Sequence, residues 1–441
     1  MLSSSIIEGG MNLSKLPEGW PGTEIIEGKT LTNVPIKPES QKGPAAKEGS
    51  GFLNPAMAGS RTRSVLMLND ALENNWLVKP DAKIRVIDAL AATSIRSRRW
   101  LNEIPQTLVD RLMIVSNDLD ETAVYWARAN QQENPTLGQL EIKQGDARIC
   151  ILESGWQWID IDPFGSPIPF LDVAMQSCAR TAVIDVCATD TAALTGSATS
   201  SGRRRYDAMA VVDDLRHDTA MRVLLGSIAR CAARHDRIIE PLLVMFDDHH
   251  VRATVLVRRS KEDASIFQKS LGWRIHLPTP EELQISMDAV LHPIDEPFQP
   301  RLSCILPFEL PPALVEGRIS GPLWIGAIGN EDIMSRLTVE KAVEVCASDS
   351  EQSKQHVARS VKGLAESASG VGCKIIIPVD QLPRLLDIPG PPSPSKLVEL
   401  LTAAGHLAAP AVLQVPAIRT DAPWSVINEA CQEIFRNHPA S

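Results

Sequence analysis

The chain has 441 residues, an apolar content of 44% and a formal net charge of −10. This length exceeds one typical core and predicts two domains. No apolar run approaches the roughly 20 residues that a membrane helix needs, and no secretory signal is visible, so we expect a cytoplasmic protein without membrane contact. The negative charge gives no general attraction to nucleic acid, and any RNA contact therefore requires a local basic patch.

Residues 1–20 are polar and weakly patterned, which predicts a flexible N-terminus. From residue 83 onward, strand-like and helix-like segments alternate. Strands are predicted over 83–88, 112–118, 140–144, 156–162 and 181–188. Four helices are predicted along this part of the chain. The first ends near 103, and the others span 121–134, 169–178 and 213–234. An antiparallel pair over 241–246 and 251–259 closes the pattern, which is typical of a Rossmann-like, doubly wound and mostly parallel sheet.

Proline-rich segments with fewer strand signals begin near residue 270. We therefore expect one domain over 21–268 and a second, α+β domain over 269–441. Gly321–Gly326 is the most distinctive run of the second part, and Trp324 within it is interpreted as a core residue.

Eight cysteines are scattered along the chain, and none forms a Cys-x-x-Cys pair. Most have apolar neighbours, so we expect small buried thiols. A zinc site requires clustered ligands, and the sequence therefore predicts no metal.

The most informative loop follows the fourth predicted strand. Pro163 must end that strand because it has no N–H for the sheet ladder. Asp162, Pro163, Phe164 and Gly165 then lie together at the carboxyl end of the strand, where open parallel sheets bind ligands. An ordinary turn explains the proline and glycine but not the acid and aromatic residue. The loop resembles the one that amino-methyltransferases use to hold an exocyclic NH2 group.

Three other strand ends indicate a nucleoside cofactor. Small residues in 88–96 allow the backbone to approach a ligand closely, and Asp118 could bind a ribose diol. Asp146 could accept a hydrogen bond from an adenine amino group while Ala147 offers its N–H. Each acid taken singly is more often a helix cap or turn residue. Together, without a Gly-x-Gly-x-x-Gly motif, they favour S-adenosylmethionine over a nicotinamide.

Longer runs of the chain resemble the tRNA guanine-26 N2-dimethyltransferases in their archaeal form. The similar runs, in order, are 52–61, 88–96, 145–148, 160–167, 188–191, 222–230, 240–243, 248–252, 321–326 and 418–424. The resemblance implies a methyltransferase domain followed by a family-specific C-terminal domain, with tRNA as the substrate. It also implies cofactor contacts at Arg61, Arg96, Asp118, Asp146 and Ala147, and base binding by Asp162–Gly165.

The chain departs from the family pattern at three places. Ser94 stands where glycine is usual, and 215–218 replaces a His-Glu pattern, so no role is assigned to His217. Residues 261–286 contain no cysteine, unlike some relatives, which again predicts no zinc.

Guanine N2 is a poor nucleophile because its lone pair is delocalised into the ring. Asp162 is expected to accept a hydrogen bond or proton from the base, and partial burial is expected to raise its pKa. Phe164 is expected to stack on a base displaced from the tRNA. The competing interpretation is that Asp162 only caps the next helix and Phe164 is core.

Two arginine groups are candidates for RNA contact. Arg98 and Arg99, with Arg96, are expected near the pocket, and Arg203, Arg204 and Arg205 in a loop after the fifth strand. Two other functions stay open on the residues alone: an N6-adenine methyltransferase acting on DNA or another RNA, and a tRNA-binding protein with a decayed pocket. Oligomeric state and the number of methyl groups transferred are not predicted.

Overall fold

The computed structural model describes residues 16–35, 53–310 and 317–436. Residues 1–15 of the predicted flexible N-terminus lie outside the described part of the chain. The described chain begins with an antiparallel hairpin of β1 (Thr23–Glu27) and β2 (Thr30–Val34). Buried Val34 of this hairpin packs in a small cluster with Leu53 and Ile95.

A seven-stranded sheet forms the centre of the molecule. Its strands are β3 (Ile84–Asp88), β4 (Leu112–Asp118), β5 (Leu140–Gln144), β6 (Trp158–Ile161), β7 (Thr181–Ala188), β8 (Arg237–Asp247) and β9 (His250–Arg259). The spatial order is β5-β4-β3-β6-β7-β9-β8, with β3 to β7 parallel and β9 antiparallel to both of its neighbours. This arrangement confirms the predicted Rossmann-like sheet and its closing antiparallel pair. The strand order reverses between β3 and β6, which is where ligands bind in such sheets.

Helices connect the strands and cover the sheet. They are α1 (Ala58–Glu73), α2 (Ile95–Glu103), α3 (Gln106–Val109), α4 (Glu121–Glu133), α5 (Ala147–Leu152), α6 (Ile168–Ser177), α7 (Thr191–Leu194), α8 (Thr199–Tyr206), α9 (Arg216–Arg234) and α10 (Lys261–Ser265). Local sequence explains several starts: Asp120, for example, caps α4 by accepting from the Ala123 N–H. Because helices cover both faces, β6 is buried along its whole length. Residues 203–205, predicted to lie in a loop, belong to α8 instead.

Two three-stranded antiparallel sheets follow in the C-terminal part. The elements are β10 (Leu271–His276), α11 (Pro280–Asp288), β11 (Ser303–Pro307), β12 (Ile319–Trp324), α12 (Glu331–Ser335), α13 (Val339–Cys346), α14 (Glu351–Val361), α15 (Leu364–Ser367), β13 (Ile375–Pro378), α16 (Pro394–Ala403), β14 (Ala408–Ala411), β15 (Ala417–Thr420) and α17 (Trp424–Arg436). The sheet orders are β11-β10-β12 and β13-β15-β14. This mixture of helices and antiparallel strands fits the predicted α+β class. The boundary at 268/269 stays a prediction, since the main core continues into β12 and α12.

Burial agrees with two expectations from the sequence. All eight cysteines are buried and have free thiols. Trp324 is 9% exposed and donates from Nε1 to the carbonyl of Ala327, as expected of a core residue. Within the described residues, every helix is too short or too polar to cross a bilayer.

Candidate active site

Strand register places three aspartates side by side beneath the switch point. Asp88 of β3 pairs with Asp160 of β6, which pairs with Asp185 of β7. Each of these residues is at most 2% exposed. Arg252 of β9 contacts Asp160 and lies 2.8 Å from the Asp185 carboxylate. This arginine supplies part of the positive charge that so dense a row of buried acids requires.

Asp162 lies two residues beyond Asp160, so its side chain emerges on the same face but at the end of the strand. Its Oδ2 lies 2.6 Å from Arg96 Nη2 and 3.3 Å from Arg252 Nη1. Burial alone would raise the pKa of the Asp162 carboxyl, but Arg96 and Arg252 outweigh burial and lower this pKa to about 2. The expectation of a raised pKa is therefore wrong, because the sequence did not show the two guanidinium groups.

The pKa is raised instead at Asp160 and Asp88, the more deeply buried acids. Burial, only partly offset by Arg252 and Arg96, raises the pKa of Asp160 to about 8. Burial likewise raises the pKa of Asp88 to about 6, against the opposing charge of Arg96. Near pH 7 Asp160 is therefore mainly protonated, whereas Asp162 at the end of the strand is ionised.

A cavity of about 680 Å³ opens over the carboxyl ends of β3, β4 and β6. This volume lies within the range of small-molecule sites, about 300–1,000 Å³. Six residues that the sequence predicted for the site line the cavity: Arg61, Arg96, Asp118, Asp162, Pro163 and Phe164. Asp88, the last residue of β3, lines it as well. Strand ends distant in sequence thus share one wall, as the sheet topology requires.

Asp118 supports the loop that crosses the cavity floor. Its Oδ2 accepts from the Ala92 N–H at 2.7 Å and its Oδ1 from the Asp120 N–H at 3.0 Å. In that loop Ala92 and Ser94 adopt φ of 47° and 61°. This left-handed region favours glycine, the residue that the resemblance noted in the sequence leads one to expect at position 94. Ser94 is held there by a 2.5 Å contact between its hydroxyl and that of Ser116.

Arg61 lines the cavity as an already paired charge. Its Nε and Nη2 donate to the two carboxylate oxygens of Glu27 in the hairpin, at 2.6 and 2.5 Å. Burial would raise the pKa of Glu27, but Arg61 and Arg99 lower it to about 2. The hairpin therefore carries an ionised acid that orients Arg61 toward the cavity wall.

Asp146 and Ala147 lie at the start of α5 and are not among the residues that line the cavity. The Asp146 carboxylate accepts from the N–H of Arg148 at 2.9 Å and pairs with its guanidinium, which lowers the pKa of Asp146 to about 2. Their assignment to the cofactor therefore stays a prediction.

The Phe164 loop is open to the cavity. Phe164 is 54% exposed, and no side chain caps α6, whose N-cap is Pro167. The competing interpretation, a helix-capping Asp162 and a core Phe164, is therefore wrong. Gly165 has φ of 85°, a conformation that disfavours other residues. Thr189 binds this glycine twice, accepting from its N–H at 2.6 Å and donating to its carbonyl at 2.9 Å.

Arg98 and Arg99 do not face RNA. Arg98 is 1% exposed and donates to the carbonyls of Leu31 and Asn134 at 2.8 and 2.9 Å. Arg99 is fully buried and pairs with Glu103 and Glu27. Their assignment to RNA binding is wrong, because the N-terminal hairpin covers this face of α2. Residues 203–205, by contrast, are exposed on α8.

Sequence reasoning assigned no role to Arg252, Thr189 or His250. His250 is 3% exposed, lines the cavity, and its Nε2 has no hydrogen-bond partner among the described residues. Burial lowers the pKa of His250 to about 4, so its ring is neutral near pH 7. These three residues lie in 188–191 and 248–252, two of the runs that resemble the family. That resemblance could have marked them as site residues, but which side chains they contact depends on the fold.

Comparison with known proteins identifies the family. The model of a family described as N2,N2-dimethylguanosine tRNA methyltransferase matches residues 28–432. The chain belongs to this family. The tRNA (guanine(26)-N(2))-dimethyltransferase of Methanosarcina acetivorans is 27% identical over 429 residues, which cover 93% of this chain and 98% of the relative. The enzyme of the same description from Methanobrevibacter smithii is 31% identical over 292 residues, 66% of this chain and 69% of the relative.

The present chain has the same fold as a solved structure described as Trm1 from Pyrococcus horikoshii with S-adenosyl-L-methionine. The TM-score is 0.71 at 24% identity, covering 92% of this chain and 99% of that one. The family match confirms the family and enzyme class that the sequence predicted, and argues against an N6-adenine methyltransferase.

Proposed function

We propose that the protein transfers methyl groups from S-adenosylmethionine to the exocyclic N2 of guanine 26 in tRNA. The observation that supports this most is the pairing, in one cavity wall, of an ionised Asp162 with an exposed Phe164. An acceptor for amine protons and a stacking surface for the base are what N2 methylation requires.

The cavity fits the cofactor. S-adenosylmethionine carries two cationic groups, a carboxylate, a ribose and an adenine. The wall offers the acids Asp88 and Asp118, the guanidinium of Arg61, and the backbone of small residues such as Ala91. Among the lining residues, Thr93 Oγ1 and Arg96 Nη1 are buried polar atoms without a partner in the described structure. Such atoms are satisfied when a polar ligand binds.

When bound, the cofactor supplies an electrophilic methyl group on a sulfonium centre. Asp162 accepts a hydrogen bond from the N2–H or N1–H of guanine and localises electron density on the amine. Because its pKa is about 2, Asp162 is a weak base. It therefore receives the proton only as the amine becomes positively charged. Arg96 and Arg252 keep the carboxylate ionised and oriented until then.

Phe164 receives the displaced guanine. Stacking on an aromatic ring contributes about 1–3 kcal/mol per base, which offsets part of the cost of removing the base from the tRNA stack. The two hydrogen bonds between Thr189 and Gly165 hold the loop that presents the ring.

The reaction is tested with unmodified tRNA transcript, labelled cofactor and nucleoside mass analysis. We expect N2-methyl- and N2,N2-dimethylguanosine from the native transcript and no product when guanine 26 is replaced by adenine. N6-methyladenosine would instead support the adenine methyltransferase. Calorimetric titration with S-adenosylmethionine separates a decayed pocket, which would give no heat.

The tRNA is proposed to contact the exposed arginines of α8. This helix follows the loop after β7, whose Thr189 binds the Phe164 loop. Arg205 pairs with Asp190 at 2.8 Å, next to Thr189. Replacing Arg203 and Arg204 together by Glu should weaken tRNA binding. The slope of the logarithm of the binding constant against the logarithm of the salt concentration should also become less steep, by about 1 for each lost phosphate contact.

The matched control reverses Arg258 and Arg259 to Glu. These two arginines are exposed near the start of β7, at the end of the sheet away from the cavity. Binding isotherms at several salt concentrations should leave this control unchanged. Equal effects in the two variants would contradict a contact at α8.

A further inference from the structure

A cysteine, a histidine and an aspartate converge between α6 and α9. Asp172 Oδ1 of α6 lies 3.4 Å from Cys231 Sγ and 3.2 Å from His235 Nε2. The three ligand atoms lie within 4.8 Å of one another, and no other such group of three occurs among the described residues. The sequence predicts no metal because it shows no clustered ligands, but the fold brings these residues together.

Two of the three separations are close to the edges of a tetrahedral metal site, and the third, between Cys231 Sγ and His235 Nε2, is at most 4.8 Å. Zinc bonds are about 2.3 Å to sulfur and 2.0–2.2 Å to nitrogen and oxygen, which places neighbouring ligand atoms about 3.4–3.6 Å apart. The contacts of Asp172 with Cys231 and His235 differ from these edges by a few tenths of an ångström. Cys231 and His235 are four positions apart at the end of α9, the spacing at which two helical residues share a face. The third ligand comes from a second helix.

The surroundings allow an ion to enter. The side chains of Asp172 and His235 are 62% and 27% exposed, whereas Cys231 is buried. The Asp172 carboxylate accepts a hydrogen bond from Cys231 and contacts the His235 ring. Arg234 lies 3.3 Å from this carboxylate, but its side chain is 65% exposed and can turn toward solvent.

We propose that Asp172, Cys231 and His235 form a binding site for a thiophilic divalent ion such as Zn²⁺, with water completing the tetrahedron. Binding replaces the S–H bond with a metal–thiolate bond and releases the thiol proton to solvent. Because the thiol must lose its proton when the metal binds, binding should strengthen as pH rises. Because α6 begins directly after the Phe164 loop, the ion would tie the helix behind that loop to α9.

The test is titration of the metal-free full-length protein with Co²⁺, followed by Zn²⁺ competition. We expect one equivalent of Co²⁺ with a thiolate-to-cobalt charge-transfer band in the near ultraviolet, which Zn²⁺ removes. Cys231→Ser should abolish the band, and His235→Gln should weaken binding by at least about tenfold.

Cys178→Ser is the matched control. Cys178 is another buried thiol, which contacts the Met175 carbonyl at 3.8 Å and belongs to no group of three possible ligands among the described residues. Its loss should leave the titration unchanged. A wild-type titration without the band, or a band that survives Cys231→Ser, would overturn the proposal. If the Cys231 variant does not fold, the variant of the half-buried His235 provides the test. An unchanged affinity for Co²⁺ in His235→Gln would also overturn the proposal.

Discussion

Asp160 and Asp162 are two positions apart, yet their acid strengths differ widely. Asp160 is fully enclosed between two other aspartates, and the pKa of its carboxyl rises to about 8. The side chain of Asp162 is 18% exposed and lies close to Arg96 and Arg252, and the pKa of its carboxyl falls to about 2. The same residue type thus gives a buried, protonated group and an ionised acceptor at the cavity. At Asp160, burial and the neighbouring charges of Asp185 and Asp88 outweigh the two arginines, whereas at Asp162 the arginines outweigh burial.

Replacing Asp162 by Asn tests its role at the level of a single side chain. The substitution keeps the size of the group but removes the charge that accepts amine protons. Methyl transfer under single-turnover conditions should fall by about 10² or more. Calorimetry should show S-adenosylmethionine binding little changed, and thermal unfolding should confirm that the variant is folded. Near-normal turnover would contradict the proposed mechanism.

At the level of elements, the cavity wall is built from loops that bind each other. The loop after β6 carries Phe164, and the loop after β7 carries Thr189, which forms both hydrogen bonds to Gly165. The next residue, Asp190, accepts hydrogen bonds from Arg205 and Tyr206 of α8. The arginine helix and the aromatic loop are therefore connected through two adjacent residues.

Thr189→Val removes the hydroxyl that accepts from Gly165 but keeps the shape of the side chain. One lost hydrogen bond is worth about 0.5–1.5 kcal/mol, so kcat should fall by up to about tenfold while cofactor affinity stays unchanged. Thr189→Ser keeps the acceptor and should restore the rate. Valine and serine variants with equal kcat would show that the hydroxyl does not position the loop.

At the scale of the whole molecule, α9 joins the main sheet to both C-terminal sheets. Buried Asp218 pairs with Arg222 at 2.9 Å and also contacts Arg419 of β15. Arg222 in turn donates to the carbonyls of Trp324 and Gly326 at 3.1 Å. A buried charge network therefore connects segments that are far apart in sequence.

Arg419→Met should destabilise the protein because it leaves the Asp218 carboxylate buried with one partner fewer. Breaking such a pair costs about 3–5 kcal/mol, whereas replacing both partners by apolar residues is often neutral. Urea unfolding should show the loss in Arg419→Met and a partial recovery when Asp218→Leu and Arg222→Met are added, because no buried charge of the network is then left unpaired. Arg384→Ala, at an exposed position, serves as the control. A single variant as stable as the wild type would indicate that the network contributes little.

Strand prediction succeeded where an apolar run had clear ends. The bounds of β4, β5 and β7 agree with the sequence pattern, because turn residues or polar residues flank each run. The start of β8 was placed at Pro241, but the strand begins at Arg237. A register shift between Pro241 and Leu243 accommodates the proline, which has no N–H for the ladder.

The sequence by itself determined the sheet, the family and the Asp162–Gly165 loop, because these depend on local periodicity and on runs of adjacent residues. Only the tertiary structure decided which charges meet. It buried Arg98 and Arg99 under the hairpin, placed Arg252 against Asp160 and Asp162, and brought Asp172 to Cys231. The physical reason is that charge and ligand chemistry act over a few ångströms in space, and residues far apart in the chain come that close only when the strands and helices pack.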